Sequence, residues 1–146
     1  MHIDEIQHRD QVLRAYFKGR DWDKNDEYLL KQKLIRCSDW LLPEYKYVIE
    51  DEWEVDAGRA DQGYGDLVFT DGLGNFAVVE VKWIDLTSSG DNASNKRTKK
   101  RKAVKEQAIK YAEIYEQKLS AINPYIDNQV AANIYTNEDD KPQRLL

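Results

Sequence analysis

The stretch that decides the fold is Gly65-Asp66-Leu67-Val68-Phe69-Thr70, then Asp71-Gly72-Leu73-Gly74-Asn75, then Phe76-Ala77-Val78-Val79-Glu80-Val81-Lys82. Two runs rich in β-branched and aromatic residues flank a glycine-rich turn, which is the pattern of a β-hairpin. Side chains alternate between the faces of a strand, so Glu80 and Lys82 point to one side and Val79 and Val81 to the other. With the turn centred on Leu73, Asp66 falls opposite Glu80 across the ladder. Directly opposed residues share a face, with β-carbons about 5 Å apart. Two carboxylates placed that way repel, and without a compensating cation one of them should keep its proton at neutral pH.

A divalent ion removes that conflict. Carboxylate oxygens are hard ligands suited to Mg²⁺ or Mn²⁺, and Mg²⁺ takes one or two carboxylates together with waters and substrate phosphate. Lys82, two residues from Glu80, would add a positive charge beside the ion. There it could orient an attacking water or stabilise charge on a phosphorane. On these three residues alone, a surface Asp–Glu pair relieved by Lys82 as an ordinary salt bridge explains the pattern equally well.

Upstream of the hairpin, Ile3, Ile6, Val12, Leu13, Tyr16 and Phe17 recur at helical spacing and predict a helix over 3–18 that Gly19 ends. Asp23 or Asn25 can cap a second helix running to about Leu42, where Pro43 stops it. On that helix Glu27, Leu30, Leu34, Cys37 and Leu41 form one stripe, so Glu27 heads an apolar face. Its carboxylate then needs a partner, such as a shared metal ion, unless it lies half exposed in a first turn favoured by the helix dipole. Tyr45 to Val55 alternate partially and predict a strand, followed by a polar segment from Asp56 to Gly63.

Downstream, residues 85–95 are small and polar and predict a loop. A long helix is predicted from about Thr98 to Ser120, a last strand over Gln129–Thr136, and a loose tail from Asn137. Lys100, Val104, Gln107, Tyr111 and Ile114 share a stripe of the long helix. Gln107 and Tyr111, four apart, are adjacent on it. They could contact phosphate or fix a catalytic lysine, or simply form an amphipathic edge. The order α, α, β, β, β, α, β predicts one α/β domain, a mixed β-sheet with helices on both faces.

Composition narrows the field. A chain of 146 residues, 41% hydrophobic, is long enough and apolar enough for one packed core. No apolar run is long enough to span a membrane, and the start lacks a signal-peptide pattern. An intracellular place, cytoplasmic or nuclear rather than secreted, is expected. Cys37 is the one cysteine, which excludes an internal disulfide and a cysteine-held iron–sulfur or zinc site. The two histidines, His2 and His8, are too few for a histidine cage.

The net charge of −5 argues at first against a nucleic-acid partner, but its distribution reverses the argument. Residues 1–82 hold 11 basic and 18 acidic side chains, whereas residues 83–146 hold 11 and 9. The positive charge is densest in Lys96-Arg97-Thr98-Lys99-Lys100-Arg101-Lys102. Lys96, Arg97, Lys99, Lys100 and Arg101 could clamp a phosphate backbone without reading sequence. A solvated helix start or a nuclear import signal has the same composition.

Gly63-Tyr64-Gly65-Asp66, Glu80-Val81-Lys82 and Gln107-Ala108-Ile109-Lys110-Tyr111, in that order, resemble the PD-(D/E)XK nuclease superfamily. More narrowly they are similar to its RecB-like branch, with G-x-x-D, then (E/D)-x-K on the next strand, then Q-x-x-x-Y on the following helix. The resemblance spans residues from about 26 to 136, and Gly65 in place of the Pro of the superfamily name is normal for the branch. It implies a restriction-endonuclease-like fold with its core over about 23–136. It also implies hydrolysis of nucleic-acid phosphodiester bonds by metal-activated water.

By that resemblance Asp66 and Glu80 would be ligands of Mg²⁺ or Mn²⁺, with the Val81 carbonyl and Glu27 as further ligands. Lys82 would be catalytic, and Gln107 and Tyr111 would support the site. The expectation is therefore a metal-dependent nuclease, endo- or exonuclease, acting on DNA rather than RNA and compatible with a homodimer. Two alternatives stand beside it. One is a catalytically inactive nuclease-like domain that binds nucleic acid or serves as an adaptor; the other is a structural protein whose acids are ordinary salt bridges.

Overall fold

The elements run α1 (Ile3–Lys18), α2 (Asp26–Arg36), α3 (Ser38–Leu41), β1 (Tyr47–Glu54), β2 (Tyr64–Thr70), β3 (Asn75–Lys82), α4 (Asp91–Ile122), β4 (Gln129–Thr136) and β5 (Gln143–Arg144). They are seen in a computed structural model that describes residues 1–59, 61, 63–87 and 89–146. The predicted 56–63 segment and 85–95 loop include Ala60, Gln62 and Ser88, which lie outside the described residues. The strands form one sheet in the order β1-β2-β3-β4-β5. β3 and β4 pair in parallel, joined through α4, and the other neighbours are antiparallel. The fold is thus a single α/β domain with a mixed sheet and helices on both faces.

Period-2 patterning explains the layers. On β3, Phe76 and Val78 face α4, joining Val68, Ala132 and Ile134 around Val104, Ala108, Tyr111, Ala112, Tyr115 and Leu119. Ala77, Val79 and Val81 face the other way, joining Val48, Leu67, Phe69 and Tyr135 against Phe17, Leu30, Leu34, Ile35 and Leu41. Leu34, Val48, Leu67, Val68, Phe69, Val78 and Val79 have no solvent exposure at all. Each contributes about 1.5–3 kcal/mol of hydrophobic stabilisation. α1 serves both layers, giving Ile6 to the α4 side and Phe17 to the α2 side.

Three boundaries differ from expectation. The second helix stops at Arg36, because Cys37 leaves helical geometry with φ −107° and ψ 22°, and a short helix follows. The break is held from a distance, since Arg14 donates to the Ile35 carbonyl at 2.6 Å and to Ser38 Oγ at 2.9 Å. The long helix begins at Asp91, not near Thr98. Asn92, Ser94, Asn95 and Lys96 are exposed on it, so its first turns carry no apolar period by which to recognise them. The tail is not loose either. Leu145 N donates to Ala132 O at 2.8 Å, and β5 pairs with β4, a backbone pairing that leaves little side-chain signature. Trp40, whose bulk suits a core, is 58% exposed and carries Lys141 over its ring at 4.7 Å.

Candidate active site

The β2–β3 ladder has the expected register, running from Thr70 opposite Phe76 to Leu67 opposite Val79. One step further, where Asp66 meets Glu80, side chains replace the ladder. Asp66 N donates to Glu80 Oε2 at 2.8 Å, and Val81 N donates to Asp66 Oδ2 at 2.8 Å. Each acid therefore accepts one backbone amide from the opposite strand, Glu80 that of Asp66 and Asp66 that of Val81.

β1 supplies the next wall. Glu52 there holds a left-handed backbone, φ 50°, which is uncommon for a residue with a side chain. It breaks the alternation of its neighbours. Asp51 reaches Lys31 on α2, while Trp53 packs edge-on against Tyr111 and Tyr115 of α4. The Trp53 indole lies over Gly65, where any added β-carbon would run into the ring. The glycine before Asp66 thus lets β1 press close behind the acid.

The cation at the acids is not the one the sequence suggests. Lys31 Nζ lies 2.9 Å from Asp51 Oδ1, 3.3 Å from Asp66 Oδ1 and 3.9 Å from Glu52 Oε1, with its side chain 5% exposed. Tyr28 adds its ring face at 5.0 Å from the ammonium and donates its hydroxyl to Glu52. Lys82 instead pairs with Glu27, Nζ to Oε1 at 3.3 Å, both side chains part exposed. Trp83 N also points at Glu27 Oε1, at 3.5 Å. Glu27 does find a partner, but that partner is the lysine. Lys31 and Asp51 escaped the sequence reading, although a signal existed. Lys31 lies one turn after Glu27 and among Leu30, Leu34 and Ile35, so it is a lysine on a buried stripe.

Electrostatics follow from this packing. Burial, then the adjacent Asp66 charge, pushes the Glu80 carboxyl up to about 9, so it holds its proton at neutral pH. Burial also raises Asp66, against the pull of Lys31 and the Val81 amide. Burial alone would lower Lys31, but the charges and hydrogen bonds of Asp66 and Asp51 outweigh it and raise it. Burial thus raises both acids and favours the expected proton on the pair.

The helix motif reaches the same region. Gln107 Nε2 donates to the Tyr111 hydroxyl at 2.9 Å. Tyr111 is buried, and its hydroxyl would lie 2.9 Å from a β-carbon placed on Gly63, whose φ is +99°. The glycine that opens the Gly63–Asp66 motif therefore packs on the tyrosine that ends the helical one. Gln107 itself is exposed.

The basic segment forms the exposed start of α4. Lys96, Lys99 and Lys100 are solvent-facing. Lys96, Arg97 and Lys100 line a concavity of about 430 Å³ with Asp85, Ser89 and Asn92. Arg97 donates to the Asp85 carbonyl at 3.4 Å. Arg101 is already engaged at the surface, in a two-pronged pair with Glu138 at 2.8 and 2.6 Å.

Two opposed carboxylates, each accepting one backbone amide and each driven toward protonation by burial, fit a small divalent ion of the kind that takes two carboxylates plus water. The wider acid set does not converge. Among the described residues no group of three or more His, Cys, Asp or Glu is arranged to hold a metal. Among them, too, no helix is long and apolar enough to cross a membrane. Comparison with family models, with curated proteins and with solved structures finds no match to this chain.

Proposed function

We propose that the chain is a Mg²⁺- or Mn²⁺-dependent nuclease that hydrolyses nucleic-acid phosphodiester bonds, with DNA preferred to RNA, on a restriction-endonuclease-like fold. The observation that carries this reading is the opposed Asp66–Glu80 pair, with Glu80 buried, Asp66 part-buried, and each accepting a backbone amide from the opposite strand. Placing two carboxyl groups against each other out of water opposes folding unless one keeps its proton or a cation joins them. A structural salt bridge would be served better by one acid and one base.

Asp66 and Glu80, with the Val81 carbonyl, would hold the ion, which would supply Lewis acidity and a water of lowered pKa. The chain's own residues do the rest. Lys82 keeps its amine part exposed at the edge of the site, held by Glu27 at 3.3 Å until a phosphate oxygen competes for it. In that position it stabilises charge developing on the phosphorane. Tyr111, positioned by Gln107, braces the backbone at Gly63, three residues before Asp66. Lys96, Lys99 and Lys100 face solvent at the start of α4 and suit a phosphate backbone, as does the Arg97-lined concavity.

Purified protein with Mg²⁺ or Mn²⁺ should cleave at least one of linear, circular, branched or single-stranded DNA. Lys82→Ala should slow that cleavage by about 10²–10³-fold with an unchanged circular-dichroism spectrum. Full activity in the variant would remove this mechanism. Salt-sensitive binding without cleavage under either metal would leave the adaptor reading instead.

A further inference from the structure

Lys31 stands at the open end of the hairpin with no part in the reaction just described, and its placement is specific. Asp66 spends Oδ2 on the Val81 amide at 2.8 Å and turns Oδ1 toward the Lys31 ammonium at 3.3 Å. Oδ1 is the oxygen left for a metal ion. The ammonium therefore faces the position that an ion bound to Asp66 would approach. Its side chain is 5% exposed, so it has no route to bulk water by rotation alone. It does have a second partner within the protein, Asp51 Oδ1 at 2.9 Å, and a third carboxylate, Glu52 Oε1, at 3.9 Å. The amine can leave Asp66 and remain paired, so its withdrawal strands no buried charge.

We infer that Lys31 is an internal counter-ion that competes with the divalent metal for Asp66, moving onto Asp51 and Glu52 when the metal binds. This rests on the proposed metal site. In this arrangement the metal-free protein keeps its acids neutralised and ordered, and metal occupancy is held down until the ion concentration is high. Lys31 is a positioning residue, acting through Asp66.

The test is calorimetric titration of Mn²⁺, and separately Mg²⁺, into the full chain and its variants at fixed pH and salt. Lys31→Met keeps the length and removes the charge, and it should bind metal at least about tenfold more tightly than the parent, since a cation next to the ion's place is gone. Lys31→Arg, which keeps the charge, should bind no more tightly than the parent. Circular dichroism and thermal melting check folding. Should Lys31→Met fail to fold, Lys31→Gln, neutral yet able to hydrogen-bond Asp51, is measured in its place. Equal or weaker metal binding in the folded neutral variant overturns the competition. Absence of metal uptake by parent and neutral variant alike overturns the metal site itself, a separable result.

Discussion

The two ends of the β2–β3 hairpin hold the same kind of group in opposite states. At the closed end, Asp71 accepts from Leu73 N at 2.7 Å, Asn75 N at 3.2 Å and Asn75 Nδ2 at 2.7 Å. Slight burial works against its charge, but those three donors outweigh it and hold its carboxyl below the usual value. At the open end, Asp66 and Glu80 each accept one amide, lie largely out of water and are raised. A carboxylate with several donors and water nearby is content as an anion. A buried pair with one amide each is not, even with Lys31 beside it. The turn acid holds a loop together as an anion, whereas burial presses both acids at the mouth toward their protonated forms.

The largest expected consequence is a pH dependence of opposite sign at the two ends. Glu80 titrates near its ordinary 4.5 when unfolded and near about 9 when folded. Between those values the folded state holds a proton that the unfolded state has lost. Stability of the metal-free protein should therefore be highest on the acid side and fall as pH rises through this window, by at most about 1.4 kcal/mol per pH unit. Glu80→Gln keeps an oxygen for the Asp66 amide and removes the ionisation. Urea unfolding at pH 5, 7 and 9 with chelator should show a flatter profile for the variant and, at pH 8, a gain on the order of 2–4 kcal/mol over the parent. Added Mg²⁺ should stabilise the parent at pH 8 and not the variant. A parent profile that is level, or that rises with pH, breaks the contrast.

A smaller effect sharpens the same contrast through packing. Gly65 lies under the Trp53 indole, so Gly65→Ala forces the ring or the strand to move at the open end. We expect a loss of about 1–3 kcal/mol, the usual penalty of overpacking, with a shift in tryptophan fluorescence. Unchanged stability and spectrum would mean that β1 is not held against Asp66 as tightly as the contact indicates.

How much of this was legible in the sequence depends on what kind of interaction fixes each part. The hairpin register could be read because alternation and one turn determine it, and the opposition of residues 66 and 80 follows from it. The layers could be read for the same reason. Contacts that join distant segments could not. The break at Cys37 is held by Arg14 from α1, and β5 is held by backbone pairing to β4. Lys31 was hidden because a lysine on a helix is by default a solvent-facing residue. Its buried ammonium is paired with Asp51, on a strand some twenty residues away in the chain. Glu27 was singled out as a further metal ligand and Lys82 as the catalytic amine, and the two pair with each other. Residue types and spacing gave the opposition of Asp66 and Glu80, and the partners around them were decided by tertiary packing.

The smallest expected effect is at the turn. Asp71→Ala removes an acceptor for three donors in an exposed loop, where water can replace part of what is lost. The loss should be about 1 kcal/mol at pH 7. Because the folded pKa of Asp71 is depressed, its charge stabilises the fold above the unfolded value of 3.8, and that contribution disappears as pH falls through the folded value. The difference between parent and variant should therefore shrink in acid, where the Glu80 difference also vanishes, since each acid is then protonated folded and unfolded alike. At pH 8 the two substitutions should pull in opposite directions, with Asp71→Ala destabilising and Glu80→Gln stabilising. If both destabilise in the absence of metal, the acids at the mouth of the hairpin are as well satisfied as the acid in its turn, and the case for an ion between them loses its physical basis.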